Sequence, residues 1–161
     1  MIRTATPADV PALHALIQEL AAYEKAPQEA RATPGQLHEA LFGAQPAVFA
    51  HVAEDEGSGE TVGFALWFLS FSTWRGVHGI HLEDLYVRPA ARGSGHGREL
   101  LAELARICVR RGYQRLEWSV LDWNEPAIGF YEALGARPQD EWTAYRLTDG
   151  ALAALGEGHQ G

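Results

Sequence analysis

Two adjacent carboxylates inside an apolar segment are the first sign of chemistry in this sequence. Glu83 and Asp84 lie at the centre of residues 80–87 (IHLEDLYV), which otherwise have the composition of a β-strand. Charged side chains at such positions break the local pattern, and departures of this kind concentrate at functional sites. A carboxylate placed there could accept a proton as a general base. The alternative is a structural role, in ion pairs with Arg88 or Arg92.

The segment that follows has the composition of an anion-binding turn. Residues 88–97 read RPAARGSGHG, with glycine at positions 93, 95 and 97. Glycine lets a backbone approach a bulky anion, and the helix predicted to begin here adds free N–H groups and the positive end of its dipole. Arg92 and Arg98 would add positive charge. The pattern is neither a P-loop nor the dinucleotide fingerprint. It favours a cradle for a diphosphate over a simple tight connection.

Residues 92–97 (RGSGHG) resemble the acetyl-CoA loop of the GNAT superfamily of N-acetyltransferases, and the resemblance extends over nearly the whole chain. It is closest to the diamine (spermidine/spermine) and thialysine acetyltransferase branch. One departure is His96, which stands where many members carry an aliphatic residue. Another is Ser72, where diamine acetyltransferases tend to carry aspartate and thialysine-acetylating relatives do not. The other segments that carry the similarity are residues 20–25 (LAAYEK), 72–74 (STW), 82–87 (LEDLYV), 120–127 (VLDWNEPA) and 130–136 (FYEALGA).

The resemblance implies an acetyl-CoA-dependent N-acetyltransferase without a metal. Its acceptor would be a small primary amine, namely a diamine, a polyamine or a thialysine-like molecule, which attacks the thioester directly. The residues implied to bind the coenzyme fall into three groups. They are Leu85, Tyr86 and Val87 along the pantetheine arm; Arg92, Gly93, Ser94, Gly95, His96, Gly97 and Arg98 around the pyrophosphate; and Asn124, Glu125, Pro126, Ala127 and Tyr131 near the reactive end.

Acetyl transfer to an amine needs a base, a partner for the oxyanion and an acid for the departing thiolate. A free alkylamine has a pKa of about 10.4 and must lose a proton before it attacks. Glu83 is the expected base, and Asp84 would point to the opposite face of a regular strand. A backbone N–H near Leu85 would stabilise the oxyanion, so we expect a bulge or divergence there. Tyr131 is the proton donor that the resemblance implies, although helical spacing alone would make it a packed aromatic.

The acceptor pocket is expected to combine carboxylates with aromatic rings. Carboxylates would hold ammonium groups, and aromatic faces would add cation–π attraction. For Glu24 and Asp140 the alternative is a solvated surface charge. The segment around Asp140 is also shorter in this chain than the corresponding segment of the diamine enzymes. The predicted acceptor-binding residues are Tyr23, Glu24, Trp74, Glu83 and Asp140.

These residues require a sheet with helices packed against it. The predicted class is α/β (α+β): a GNAT-type three-layer sandwich whose mixed, mostly antiparallel sheet of six to seven strands carries helices on both faces. Residues 1–155 are expected to form a single domain, and residues 156–161 a flexible tail. The patterns predict strands at 1–5, 47–54, 61–71, 80–87, 114–121 and 143–148, helices from Thr6-Pro7 and Thr33-Pro34 and over 95–111 and 125–134, and a short turn at 151–155.

Composition bounds the remaining function classes. The 161 residues carry 21 acidic and 13 basic side chains, a net charge of −8 that argues against a nucleic-acid partner. We expect no membrane span and no signal peptide, and the single cysteine, Cys108, suits a reducing cytoplasm. His78-x-x-His81 is interpreted as surface, and a two-fold homodimer is the default assembly. The alternatives are another acceptor, such as an aminoglycoside or a protein amine, and a non-catalytic acetyl-CoA-binding module.

Overall fold

Five strands form a mixed sheet in the computed structural model, which describes residues 1–158. They are β1 (Ile2–Thr4), β2 (Phe49–Glu54), β3 (Thr61–Ser72), β4 (Val77–Val87) and β5 (Leu116–Glu117). Their order in the sheet is the order of the chain, with antiparallel pairing from β1 to β4 and a parallel pair between β4 and β5. The sheet is therefore mixed and mostly antiparallel, as predicted.

Helices cover both faces of this sheet. Helix α1 (Val10–Tyr23) and helix α2 (Pro34–Phe42) join a core that includes Phe64 and Leu66 of β3. Side chains alternate between the faces of a strand, so the buried neighbours Ala65 and Trp67 face the other way. On that side, Arg111 of helix α3 (His96–Arg111) lies over the Trp67 ring, 6.0 Å from its centroid. The three-layer arrangement is confirmed.

The helix boundaries follow signals that are local in the sequence. Helix α2 begins with a capping box, in which Thr33 Oγ1 accepts from the Gln36 N–H at 3.1 Å and Gln36 Oε1 accepts from the Thr33 N–H at 2.9 Å. Helix α3 ends at Gly112, whose φ of +76° lies in the left-handed region that favours glycine. Both boundaries match the predictions because capping depends on neighbouring residues only.

The chain divides into two compact units, Met1–Leu121 and Asp122–Gly161. The second contains helix α4 (Glu125–Ala133) and helix α5 (Asp149–Glu157). The division does not test the expectation of one functional domain over residues 1–155, which stays a prediction. Of the predicted flexible tail, residues 156 and 157 belong to α5, whereas residues 159–161 lie outside the described residues. None of the helices among residues 1–158 is long and apolar enough to cross a bilayer.

The prediction of six to seven strands is wrong, because residues 143–148 are not in a strand. The strand predicted at 114–121 is present but confined to Leu116–Glu117. The turn predicted at 151–155 is instead part of the nine-residue helix α5. A strand exists only where a neighbouring strand accepts and donates its hydrogen bonds, and an alternating sequence does not specify that partner.

Candidate active site

The glycine-rich turn has a backbone that only glycine adopts easily. Gly93 and Gly95 have φ values of +89° and +85°, and a Cβ added at either position would have nothing within 4 Å. Gly95 is the N-cap of α3. Within the described part of the chain, the N–H groups of residues 93–98 donate to no other residue. Six consecutive amides at the positive end of a helix are the arrangement that binds a phosphate group.

Two polar side chains flank the turn in different ways. Arg92 turns back towards the sheet, and its Nε donates to the Val87 carbonyl at 2.9 Å. His96, the first residue of α3, is half-buried and close to Asp55 of the β2–β3 turn. The pKa of Asp55 is lowered chiefly by hydrogen bonds from Ser58 and to a smaller extent by the charge of His96. Arg98 is exposed one turn into the helix.

Strand β4 has an unpaired edge directly before the turn. Strand β5 pairs only with Ile80 and His81, so no other described strand pairs with that edge of residues 82–87. The Arg88 N–H donates to Val62 on β3 at 2.8 Å. Because successive N–H groups along a strand alternate in direction, those of Val87 and Leu85 point to the unpaired edge. The divergence expected near Leu85 is present.

A bulge in β4 sets the directions of the two carboxylates. Leu66 pairs with Asp84 and Trp67 pairs with Leu82, which leaves Glu83 as the extra residue. Asp84 therefore shares the α1 face of the sheet with Leu66. A bulge or divergence was expected near Leu85, and the bulge lies two residues before it, at Glu83.

Asp84 is the carboxylate with the most unusual environment. Its pKa is raised to about 6, chiefly by burial and to a smaller extent by the nearby charges of Glu83 and Glu24. The pKa of Glu24, the residue after α1, is itself raised by desolvation. The structure thus brings Glu24, Glu83 and Asp84 into one electrostatic group. Our site prediction omitted Asp84; its position beside Glu83, inside an apolar strand, was the signal that could have identified it.

Glu83 is more exposed than its neighbour, with 57% of its side chain accessible. Its Oε1 lies 3.9 Å from His81 Nε2. Arg88, which was considered as an ion-pair partner for the two carboxylates, instead contacts Glu19 at 3.1 Å and Glu60 at 3.4 Å. An arginine partner for Glu83 or Asp84 is therefore not found among the described residues.

The remaining acceptor candidates of the first unit lie at two separate places. Tyr23 is the last residue of α1 and directly precedes Glu24, whose charge acts on Asp84. Trp74 lies in the turn between β3 and β4 and is 83% exposed. Six strand residues, roughly 20 Å, separate that turn from Glu83. The structure does not bring Trp74 to the carboxylate group.

In the second unit, helix α4 carries two of the predicted site residues. Asn124 is buried and caps α4, where its Oδ1 accepts from the Ala127 N–H at 3.4 Å. Tyr131 is half-buried on the same helix, and its ring lies 5.5 Å from the Phe130 ring, centroid to centroid. Glu125 and Pro126 are exposed in the first turn, and Asp140 is exposed beyond the helix.

Most of the chain matches a known protein family. A model of the acetyltransferase (GNAT) family matches residues 13–136. The chain belongs to the GNAT acetyltransferase family. The N-acetyltransferase activity that the resemblance implies is confirmed with it.

Individual relatives of this GNAT acetyltransferase are similar over almost its full length. The thialysine N-epsilon-acetyltransferase of Bos taurus is 37% identical over 164 residues, which cover 96% of each chain. The L-ornithine N5-acetyltransferase NATA1 of Arabidopsis thaliana is 32% identical, with 96% of this chain and 86% of that protein covered. An integron cassette protein from the mobile metagenome of V. cholerae has a TM-score of 0.81 at 27% identity, with 98% and 97% coverage. These matches confirm the resemblance to thialysine-type acetyltransferases.

Replacing Asp84 with asparagine should stabilise this GNAT acetyltransferase at pH 7.5. The pKa of Asp84 is raised from 3.8 to about 6, so the native state binds its proton more tightly than the unfolded state does. Stability therefore falls as the pH rises from about 4 to about 6, by up to about 3 kcal/mol. Urea unfolding should give Asp84→Asn a gain of about 1–3 kcal/mol at pH 7.5 and almost none at pH 4.

Glu83→Gln is the matched control for this measurement, because it removes a carboxylate from the adjacent, exposed position. Its effect should stay within about 0.5 kcal/mol at both pH values. A loss of stability in Asp84→Asn at pH 7.5 would mean that the Asp84 charge is held by a favourable partner, contrary to its environment in the structure.

Proposed function

We propose that this N-acetyltransferase transfers the acetyl group of acetyl-CoA to the terminal primary amine of a small dibasic molecule, such as thialysine, ornithine or a diamine. The observation that carries the proposal is the carboxylate group of Glu24, Glu83 and Asp84 beside the unpaired edge of β4. Several negative charges in one place favour a ligand with more than one positive charge. The activities named for the bovine and Arabidopsis relatives point to the same acceptor class.

The residues proposed to bind the coenzyme include backbone N–H groups that lack partners within the described residues. The amides of residues 93–98 would hold the pyrophosphate, and the β4 edge at residues 85–87 would pair with the pantetheine arm. Residues 124–127 would contact the coenzyme near its reactive end. Acetyl-CoA supplies the activated thioester for the reaction. The fit of the turn is supported by its positive φ values and by the open space around Gly93 and Gly95.

The proton steps are assigned to three groups of this chain. Glu83 is proposed as the general base that accepts a proton from the ammonium form of the acceptor, while Asp84 and Glu24 hold a second cationic group. The Leu85 N–H, which points to the unpaired edge, would stabilise the negative charge that develops on the acetyl oxygen. Tyr131 would donate a proton to the coenzyme thiolate as the carbon–sulfur bond breaks.

The proposal is tested by an acetyl-CoA-dependent thiol-release assay over a panel of amines. The panel contains thialysine, lysine, ornithine, putrescine, spermidine and an aminoglycoside. We expect kcat/KM to be highest for the dibasic acceptors. Preference for the aminoglycoside would overturn the acceptor class, and an absence of thiol release with every amine would contradict the proposed activity.

Replacing Glu24 with glutamine should weaken the binding of dibasic acceptors more than the binding of monoamines. Its carboxylate contributes to the charge around Asp84, and a second ammonium group would lose that attraction. We expect KM for a diamine to rise about two- to tenfold while KM for a matched monoamine changes little. Glu29→Gln, the same change at an exposed position five residues further along the chain, is the control. Equal effects on both kinds of amine would place Glu24 outside the acceptor pocket.

Two further properties are part of the proposal. The protein is proposed to act as a two-fold homodimer in the cytoplasm. The single cysteine, which is buried in α3, suits a reducing compartment. Sedimentation measurements would test the assembly.

A further inference from the structure

The side chain of Arg92 lies between the end of α1 and strand β4. Its Nε donates to the Val87 carbonyl at 2.9 Å. Its Cζ lies 5.2 Å from the centroid of the Tyr23 ring and 5.8 Å from that of the Tyr86 ring. These distances are within the range of cation–π attraction. The guanidinium therefore contacts two aromatic residues on the acceptor side of the turn.

The β4 side of this stack is firmly anchored. Tyr86 is buried, and its hydroxyl donates to Glu19 Oε1 at 3.3 Å. Glu19 also forms an ion pair with Arg88, with an Nη2–Oε2 distance of 3.1 Å. Arg92 is thus held on one side by a ring that belongs to the core, and by the Val87 carbonyl.

The α1 side of the stack is the more exposed one. Tyr23 ends the helix and is 38% exposed, and Lys25, two residues later, has a positive φ of 64°. Glu24 lies between them, and its carboxylate is one of the charges that act on Asp84. A contact that fixes the Tyr23 ring therefore also limits where the Glu24 carboxylate can lie.

We propose that Arg92 is a positioning residue for the amine acceptor: it holds Tyr23, and through it Glu24, against β4. Arg92 directly precedes the glycine turn, so the same residue connects the coenzyme-binding segment with the acceptor side. This inference rests on the proposed function for its consequence in catalysis. It differs from the expectation that the charge of Arg92 serves the pyrophosphate.

The test is a double-mutant cycle with Arg92→Gln, Tyr23→Leu and the combined variant. Loss of an exposed cation–π contact should raise the amine KM about two- to fivefold in each single variant. The double variant should be no worse than the worse single variant, because both changes break one contact. Coenzyme A binding, measured by calorimetry without any amine, should change less than about twofold in Arg92→Gln.

Two controls separate position from charge. Arg92→Lys keeps the charge but loses the planar group that stacks on rings, so it should raise the amine KM as Arg92→Gln does. Arg110→Gln removes an exposed charge from the last turn of α3 and should leave the amine KM unchanged. Multiplicative effects in the double variant, an amine KM raised equally by Arg110→Gln, or a loss of coenzyme A affinity in Arg92→Gln with the amine KM intact would each overturn the inference.

A second readout does not depend on activity. The Nε–H resonance of Arg92 should be shifted upfield by the ring currents of Tyr23 and Tyr86, and Tyr23→Leu should move it downfield. If no amine is acetylated but this shift is present and responds to Tyr23→Leu, the proposed function fails and the stack stands. If amines are acetylated but the resonance does not respond, the positioning role fails alone.

Discussion

Gly95→Val should abolish measurable binding of coenzyme A, a loss of roughly a hundredfold or more in affinity if the turn holds the diphosphate. Gly95 has a φ of +85°, which a β-branched residue adopts only with strain. The valine would also place methyl groups where the phosphate must approach the amides of residues 93–98. Isothermal titration calorimetry with coenzyme A measures the effect directly.

Gly112→Val is a matched control for this substitution. Gly112 caps the other end of α3, has a φ of +76°, and has nothing within 4 Å of an added Cβ. A valine at position 112 would therefore cause the same backbone strain, about 24 Å away along the 16-residue helix. Both variants should lose similar stability in thermal unfolding, but only Gly95→Val should lose coenzyme binding. Normal binding by Gly95→Val would move the pyrophosphate site away from this turn.

Tyr131→Phe should lower kcat about 10- to 100-fold with the coenzyme affinity nearly unchanged. The substitution removes the proposed proton donor and keeps the ring that lies 5.5 Å from Phe130. Without a donor, the thiolate must leave unprotonated or take its proton from water. Steady-state rates with a saturating amine, together with calorimetry for coenzyme A, separate this effect from a loss of binding.

Tyr145→Phe removes the same hydroxyl group from a ring that is 95% exposed in the same unit of the chain. It should have no effect on kcat. An unchanged kcat in Tyr131→Phe would remove Tyr131 from the reaction, and an equal loss in both variants would point to a general disturbance of the second unit.

The glycine turn and its helix could be predicted from the sequence because their causes are local. A positive φ favours glycine at 93 and 95, and a helix that begins beyond them must leave its first N–H groups without helical partners. Neither property depends on a distant segment. The same reasoning predicted the start of α2 at Thr33 and the end of α3 at Gly112.

The carboxylate pair could be recognised from the sequence but not oriented. A regular strand would place Glu83 and Asp84 on opposite faces, whereas the bulge and the pairing with Leu66 place Asp84 on the α1 face. Its raised pKa depends first on burial, then on the adjacent Glu83 and on Glu24, which lies at the end of α1. Register and burial are set by segments far apart in the chain, so no pattern within residues 80–87 contains them.

The sequence alone determined the family and the segment most suited to a diphosphate, since both rest on residue types in a short, ordered spacing. The tertiary structure decided the extent of the sheet, the environment of Asp84 and the stack of Arg92 on Tyr23 and Tyr86. Strand pairing, desolvation and ring contacts each require two segments to meet. Which segments meet is a property of the folded chain.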